Sequence, residues 1–174
     1  MISRALSVWL LCLAAVPGAR ADDISRVGDV LHIALPAAGF AATLDHRDGT
    51  GTREFAEAAI LTLVVTHGLK HLVDEKRPDG GSQSFPSGHA SITAASAEFL
   101  RERYGWKYGG PAYALAAFVS YSRVEVKKHY THDVLAGAAI GIGSSALFTK
   151  PYRGVQVGVT YGEAFRGVCA SRMF

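Results

Sequence analysis

The chain has 174 residues, with 49% hydrophobic and 19% charged side chains. That is enough for one domain with a real core, and it excludes a disordered chain. The formal charge of +3 and the pI near 9.0 would suit a nucleic-acid partner, but the basic excess lies at the N-terminus.

The chain opens with Met1-Ile2-Ser3-Arg4, followed by the apolar run Ala5–Val16 and an Ala-x-Ala site at Ala19 and Ala21. A charged start, a short apolar run and small residues at a cleavage site predict a signal peptide over residues 1–21. The run is too short to span a bilayer unaided; the alternative is a retained anchor helix. Cleavage after Ala21 removes Arg4 and Arg20 and no acidic residue, so the remaining chain is nearly balanced in charge and no nucleic-acid partner is expected. Cys12 leaves with the leader. Cys169 is then the only cysteine, which excludes an intramolecular disulfide and a cysteine metal site.

Residues 28–44 form a mostly apolar segment broken by Pro36 and Gly39. The loop 45–52 is rich in turn formers, and Thr50 or Thr52 is placed to cap a helix that runs to just before Pro78. A loop follows, then a helix from about Ser87 to Arg103. The stretch 104–110 reads as a connection, and Pro111 suits the first turn of a helix to about Glu125. A last helix over 131–148 is apolar or small all round, which fits a central buried helix or a membrane segment. Beyond Pro151, valines at 155, 157 and 159 and Tyr161 alternate with the period of a strand, consistent with a short β-hairpin. The expected fold is therefore all-α, a bundle of about five core helices over residues 22–150 with a C-terminal tail over 151–174. Its apolar runs stay short of the about 20 residues a membrane span needs, so the reading leans to a water-soluble or membrane-surface domain.

Three clusters carry chemistry. Lys70 and Arg77-Pro78 are seven residues apart, nearly two helical turns, which would put both cations on one face about 10 Å apart along the axis. They could hold a dianion, or they could be a solvated basic face with Lys76. Pro86-Ser87-Gly88-His89 falls where a helix begins; its free N–H groups and the small glycine would suit a bound anion, although an ordinary serine cap reads the same way. Ser122-Arg123, His129 and Asp133 form the third. His129 and Asp133 at i, i+4 share a face if His129 already lies in the helix, and a carboxylate on one ring nitrogen raises the basicity of the other. Arg123 offers a planar fork for phosphate oxygens; the bland alternative is a surface ion pair. Together, three cations, two histidines, a histidine-orienting carboxylate and a free helix N-terminus describe a phosphoryl-transfer site.

These residues match, in order and spacing, all eleven positions of a three-part signature. Over residues 70–133 the chain resembles the type 2 phosphatidic acid phosphatase (PAP2) superfamily, which includes bacterial acid phosphatases, lipid phosphatases and vanadium-dependent haloperoxidases. The resemblance implies a metal-independent phosphatase with no cofactor, in which vanadate would bind as a phosphate mimic. His129 would be the nucleophile and form a phosphohistidine, Asp133 would orient it, and His89 would protonate the leaving alcohol. Lys70, Arg77, Arg123, Ser87 and Gly88 would hold the phosphate. The expected substrate is a lipid phosphate or pyrophosphate, with a broad-specificity soluble periplasmic acid phosphatase as the alternative. The enzyme would be exported, to the periplasm or the periplasmic face of the inner membrane.

Other classes fit less well. A haloperoxidase would be larger. A non-catalytic phosphate or lipid-headgroup binder would need neither nucleophile nor proton donor. His132 is an extra histidine outside the signature, read as a rim residue. His67 and His71 are read as structural, and Tyr121 and Tyr130 as packing residues that could also line a leaving-group pocket.

Overall fold

The structure, a computed structural model, describes residues 20–152 and two strands in the tail. All but the last two residues of the predicted leader lie outside the described residues. Five helices follow in order: α1 (Ala21–Asp45), α2 (Gly49–Val73), α3 (Gly88–Tyr104), α4 (Trp106–Glu125) and α5 (Thr131–Phe148). Val155–Gly162 and Phe165–Arg172 pair antiparallel, with Val155 opposite Arg172 and Gly162 opposite Phe165. The short connections make neighbouring helices run in alternate directions. The start of α1, the end of α2, the start of α3, the end of α4 and the start of α5 therefore meet at one end of the bundle.

Several boundaries differ from the sequence reading, each for a local reason. Pro36 and Gly39 do not break α1, which runs through both. Asp48, not Thr50 or Thr52, caps α2, accepting a hydrogen bond from the Gly51 N–H at 2.9 Å. That helix stops at Val73, because Asp74 takes the left-handed conformation with φ 42°. Lys70 and Arg77 thus do not share a helix face. The stretch after Tyr104 is helical from Trp106 onward; Gly105, at φ 85°, makes the break, and Pro111 lies inside α4.

The central helix is α3, not α5. Eleven of its residues, from Ala90 to Arg103, are buried, whereas α5 leaves Leu135 and Leu147 exposed. Helices α3 and α5 touch at backbone level: a Cβ at Gly137 would lie 2.4 Å from the Ser87 carbonyl oxygen, and one at Gly141 would lie 2.0 Å from that of Ser91. Only glycine permits this approach. The apolar core, Leu35, Phe55, Phe99, Leu100 and Leu115, sits in the half where α3 ends. Phe55 and Phe99 meet edge to face at 4.8 Å.

Helices α1 and α2 are each 25 residues long and apolar enough to cross a membrane. Only 22% and 17% of their most apolar windows are buried in the bundle, which is not how a core helix of a water-soluble protein behaves. Val30, Ile33, Leu44, Ile60 and Val64 face outward, while the buried stripes carry small or polar residues such as Gly28, Thr62 and Thr66. The sequence reading underestimated these spans, because His32 and His67 interrupt the apolar runs without ending the helices.

Candidate active site

At the shared end of the bundle a cavity of about 260 Å³ opens. Lys70, Arg77, Arg123, Gly88, His89 and His129 all line it. Four helices and two loops converge to make it, α1 supplying Ser25 and Asp29. Lys70 comes from the last turn of α2, Gly88 and His89 from the first turn of α3, and Arg123 from the last turn of α4. Arg77 and His129 come from the loops that follow α2 and α4.

The α2–α3 loop is fixed by its own hydrogen bonds. The Arg77 N–H donates to the Gly81 carbonyl at 2.7 Å and the Ser84 N–H to the Glu75 carbonyl at 2.8 Å. Lys70 Nζ donates to the Gln83 carbonyl at 2.7 Å, and Arg77 Nε to the Ser82 carbonyl at 3.0 Å. Among the described residues neither cation has a carboxylate within ion-pair distance.

His129 is not in the first turn of α5, as the i, i+4 reading supposed. It precedes Tyr130, the N-cap. Asp133, at the third position of the helix, reaches back instead. Its Oδ2 accepts the Tyr130 N–H at 2.8 Å, takes the Ser84 hydroxyl, and stands 3.4 Å from His129 Nδ1. The pairing arises from helix capping rather than from a shared face. With Nδ1 turned to Asp133, Nε2 is the nitrogen left for the cavity. Burial, aided by Lys70 and Arg77, pushes His129 down to about 4, against the opposing pull of Asp133.

Ser87 is fully buried and does not line the cavity. Its hydroxyl oxygen caps α3, 3.4 Å from the Ala90 N–H, and its own N–H donates to the Asp133 carbonyl at 3.0 Å. Ser87 thus ties the start of α3 to the start of α5, setting the two histidines in register.

His89 is half-buried and stacks on His32 of α1, with ring centroids 4.0 Å apart. Burial, then His32 and Arg123, push its pKa down to about 4. Arg123 is buried and fully engaged: Nε donates to Ser122 Oγ at 3.1 Å, Nη2 to the Ser25 carbonyl at 2.9 Å and Nη1 to Asp29 Oδ1 at 2.7 Å. The close approach of α1 to α4 rests on Gly28, where a Cβ would lie 2.2 Å from Ser122 Oγ and 2.6 Å from Arg123 Nη2.

Three lining residues escaped the sequence reading: Ser25, Asp29 and Lys128. Lys128 pairs with Asp79 at 2.7 Å. Asp29 had one available signal, a carboxylate within the mostly apolar segment 28–44. His132 is exposed, as a rim residue is, yet its Nε2 lies 3.1 Å from Asp133 Oδ1 and 3.1 Å from Glu75 Oε1. Those three side chains bring potential ligand atoms within 4.8 Å of one another, enough to hold a cation. His71 holds Gln83 through a 3.2 Å contact, a structural task as expected, and His67 is exposed on α2. Tyr121 and Tyr130 are exposed and lie outside the cavity lining.

A bundle end that gathers three cations, two histidines and a buried carboxylate defines a phosphatase of the PAP2 type. Residues 80–154 match the PAP2 superfamily profile. The chain is 33% identical over 161 residues to the lipid A 4'-phosphatase of Helicobacter pylori strain J99, covering 85% of this chain and 81% of that one. It is 30% identical over 164 residues to the lipid A 1-phosphatase of the same strain, covering 84% and 86%. The chain belongs to the PAP2 superfamily and is a phosphoric monoester hydrolase. The crystal structure of Aquifex aeolicus LpxE shares the fold, with a TM-score of 0.57 at 20% identity over 82% of this chain and 92% of that one.

Proposed function

We propose that the protein is a membrane-associated lipid phosphatase that acts through a phosphohistidine. The observation that carries this reading is the placement of His129 and His89 on one cavity with Lys70, Arg77 and Arg123, and of Asp133 behind His129. The His129 Nε2 lone pair attacks phosphorus, forming a P–N bond as the P–O bond to the leaving group breaks. His89, as the imidazolium, gives its proton to the leaving oxygen. In the second step water attacks phosphorus, His89 takes the water proton, and the P–N bond breaks to free His129 and phosphate. Asp133 holds the His129 tautomer and stabilises its positive charge. Lys70, Arg77 and Arg123, with the Gly88 N–H, neutralise the phosphoryl oxygens. Both histidines are held neutral without ligand, which suits His129 as nucleophile. A dianion in the cavity favours the proton on His89.

The lipid part of the proposal is supported by the outward apolar faces of α1 and α2 beside the cavity and by the relatives named for lipid A hydrolysis. A phosphorylated lipid anchored in the bilayer would present its headgroup at the end of these helices. A soluble periplasmic acid phosphatase has no use for such faces.

The test is phosphate release by the detergent-solubilised full chain from lipid A, phosphatidic acid, phosphatidylglycerol phosphate, undecaprenyl pyrophosphate and soluble monoesters, with and without EDTA. Release from one or more lipids, little from soluble esters and no loss with chelator are expected. Equal turnover of soluble esters would overturn the lipid assignment, and loss with EDTA would overturn metal-independence.

A further inference from the structure

Asp29 is the one acidic side chain among the described residues that line the cavity. A carboxylate in a dianion site repels the ligand, so its presence needs a reason. A single oxygen, Oδ1, contacts two groups that the phosphate ester requires. It accepts from Arg123 Nη1 at 2.7 Å and lies 3.1 Å from His89 Nε2. The partners are unequal in mobility. Arg123 is buried and tied to Ser122 and the Ser25 carbonyl, whereas the Asp29 side chain is 53% exposed and free to swing to solvent by a rotamer change.

We propose that Asp29 is an internal counter-anion of the cradle, holding Arg123 and His89 in place until the phosphoryl group displaces it from both. The inference rests on the phosphatase reading of this site. The geometry favours the exchange: His89 Nε2 cannot serve a leaving oxygen while Asp29 Oδ1 occupies it, and the same oxygen holds an N–H of Arg123 Nη1 that a phosphoryl oxygen would take. The flanking groups sharpen the competition. His32 stacks on His89, and Lys70, Arg77 and His129 line the same cavity, where among the described residues neither Lys70 nor Arg77 has a carboxylate within ion-pair distance. Asp29 is thus a positioning residue whose charge weakens phosphate binding, which favours product release.

The experiment is calorimetric titration of inorganic phosphate into the detergent-solubilised full chain, for the wild type, Asp29→Asn and Asp29→Ser, alongside turnover of a lipid phosphate. Both variants lose the charge, and Asp29→Asn keeps an amide oxygen as an acceptor for Arg123. The affinity for phosphate is expected to rise about tenfold or more, as removal of one like charge within a few ångströms implies. KM should fall while kcat does not rise, because phosphate leaves more slowly. Unchanged or weaker phosphate binding in either folded variant would overturn the proposal and make Asp29 a scaffold for Arg123. If neither variant folds, Asp29→Glu, which keeps the charge, is expected to bind phosphate no more tightly than the wild type, and tighter binding there would overturn the proposal. If the wild type bound phosphate but hydrolysed no ester, the enzymatic reading would fall while the binding comparison still decided the role of Asp29.

Discussion

The two ends of the bundle handle charge in opposite ways. Where α3 ends, Arg103 is buried with its neutralising partners: Nη2 and Nε donate to Asp48 at 2.6 and 2.7 Å, and Nη1 donates to Glu54 at 3.1 Å and to the Lys150 carbonyl at 2.7 Å. The Tyr104 hydroxyl adds a further bond to Asp48 at 3.0 Å. All three Arg103 nitrogens thus have partners within the protein. Where α3 begins, Lys70 and Arg77 donate, among the described residues, to loop carbonyls, and Arg123 leans on a half-exposed carboxylate. The first end is a clamp that closes the fold. The second holds its charge in reserve, with local strength given up for a ligand.

The comparison breaks most visibly at His129. Replacement by alanine should lower kcat by several orders of magnitude while phosphate binding and the melting temperature persist; a kcat assay beside calorimetry checks both. At the clamp the pattern reverses. Arg103→Ala strands Asp48 and Glu54 in a buried site and should cost about 3–5 kcal/mol of stability, read by denaturant melts, with normal turnover per folded molecule.

Acid should separate the ends further. His89 and His129 have folded pKa values of about 4, below the ordinary 6.5. The unfolded chain therefore binds more protons between these values, and their contribution, complete above pH 6.5, is lost as pH falls towards 4. At Asp48, burial raises the pKa, but the bonds from Arg103, Gly51 and Tyr104 outweigh it and hold the group below its usual 3.8. Its contribution is present above 3.8 and is lost only below that. Melting temperature against pH should fall in two stages, and His89→Gln should flatten the upper one alone.

Smaller effects sharpen the contrast. Gly28→Ala would push into Ser122 and Arg123, costing about 1–3 kcal/mol and raising KM as the arginine is displaced. Ser87→Ala removes one cap of α3, worth about 1 kcal/mol, with a modest loss of activity as His89 loosens.

The candidate site was legible in the sequence because its spacing is local: Lys70 to Arg77 and Pro86 to His89 each sit within one helix end and its loop, and Ser122 to Asp133 spans the single turn between α4 and α5. Asp29 was not, because its meeting with Arg123 spans two helices and depends on the missing side chain of Gly28. The central place of α3 was hidden for a different reason. Ser91, Thr93 and Ser96 are residue types usually found at the surface, but their hydroxyls bond to the carbonyls of Gly88, His89 and Ile92, which lets polar residues pack at backbone distance from α5. Helix ends were misplaced where the deciding residue was a cap outside the periodic pattern, as with Asp48 and Asp74.

The most direct test is to mix the wild-type protein with a lipid phosphate labelled at phosphorus, quench in alkali and locate the label by peptide mass. The account predicts a transient adduct on His129, absent in His129→Ala and longer-lived in His89→Ala under single turnover. Undiminished turnover in His129→Ala, or an adduct on another residue, would contradict it.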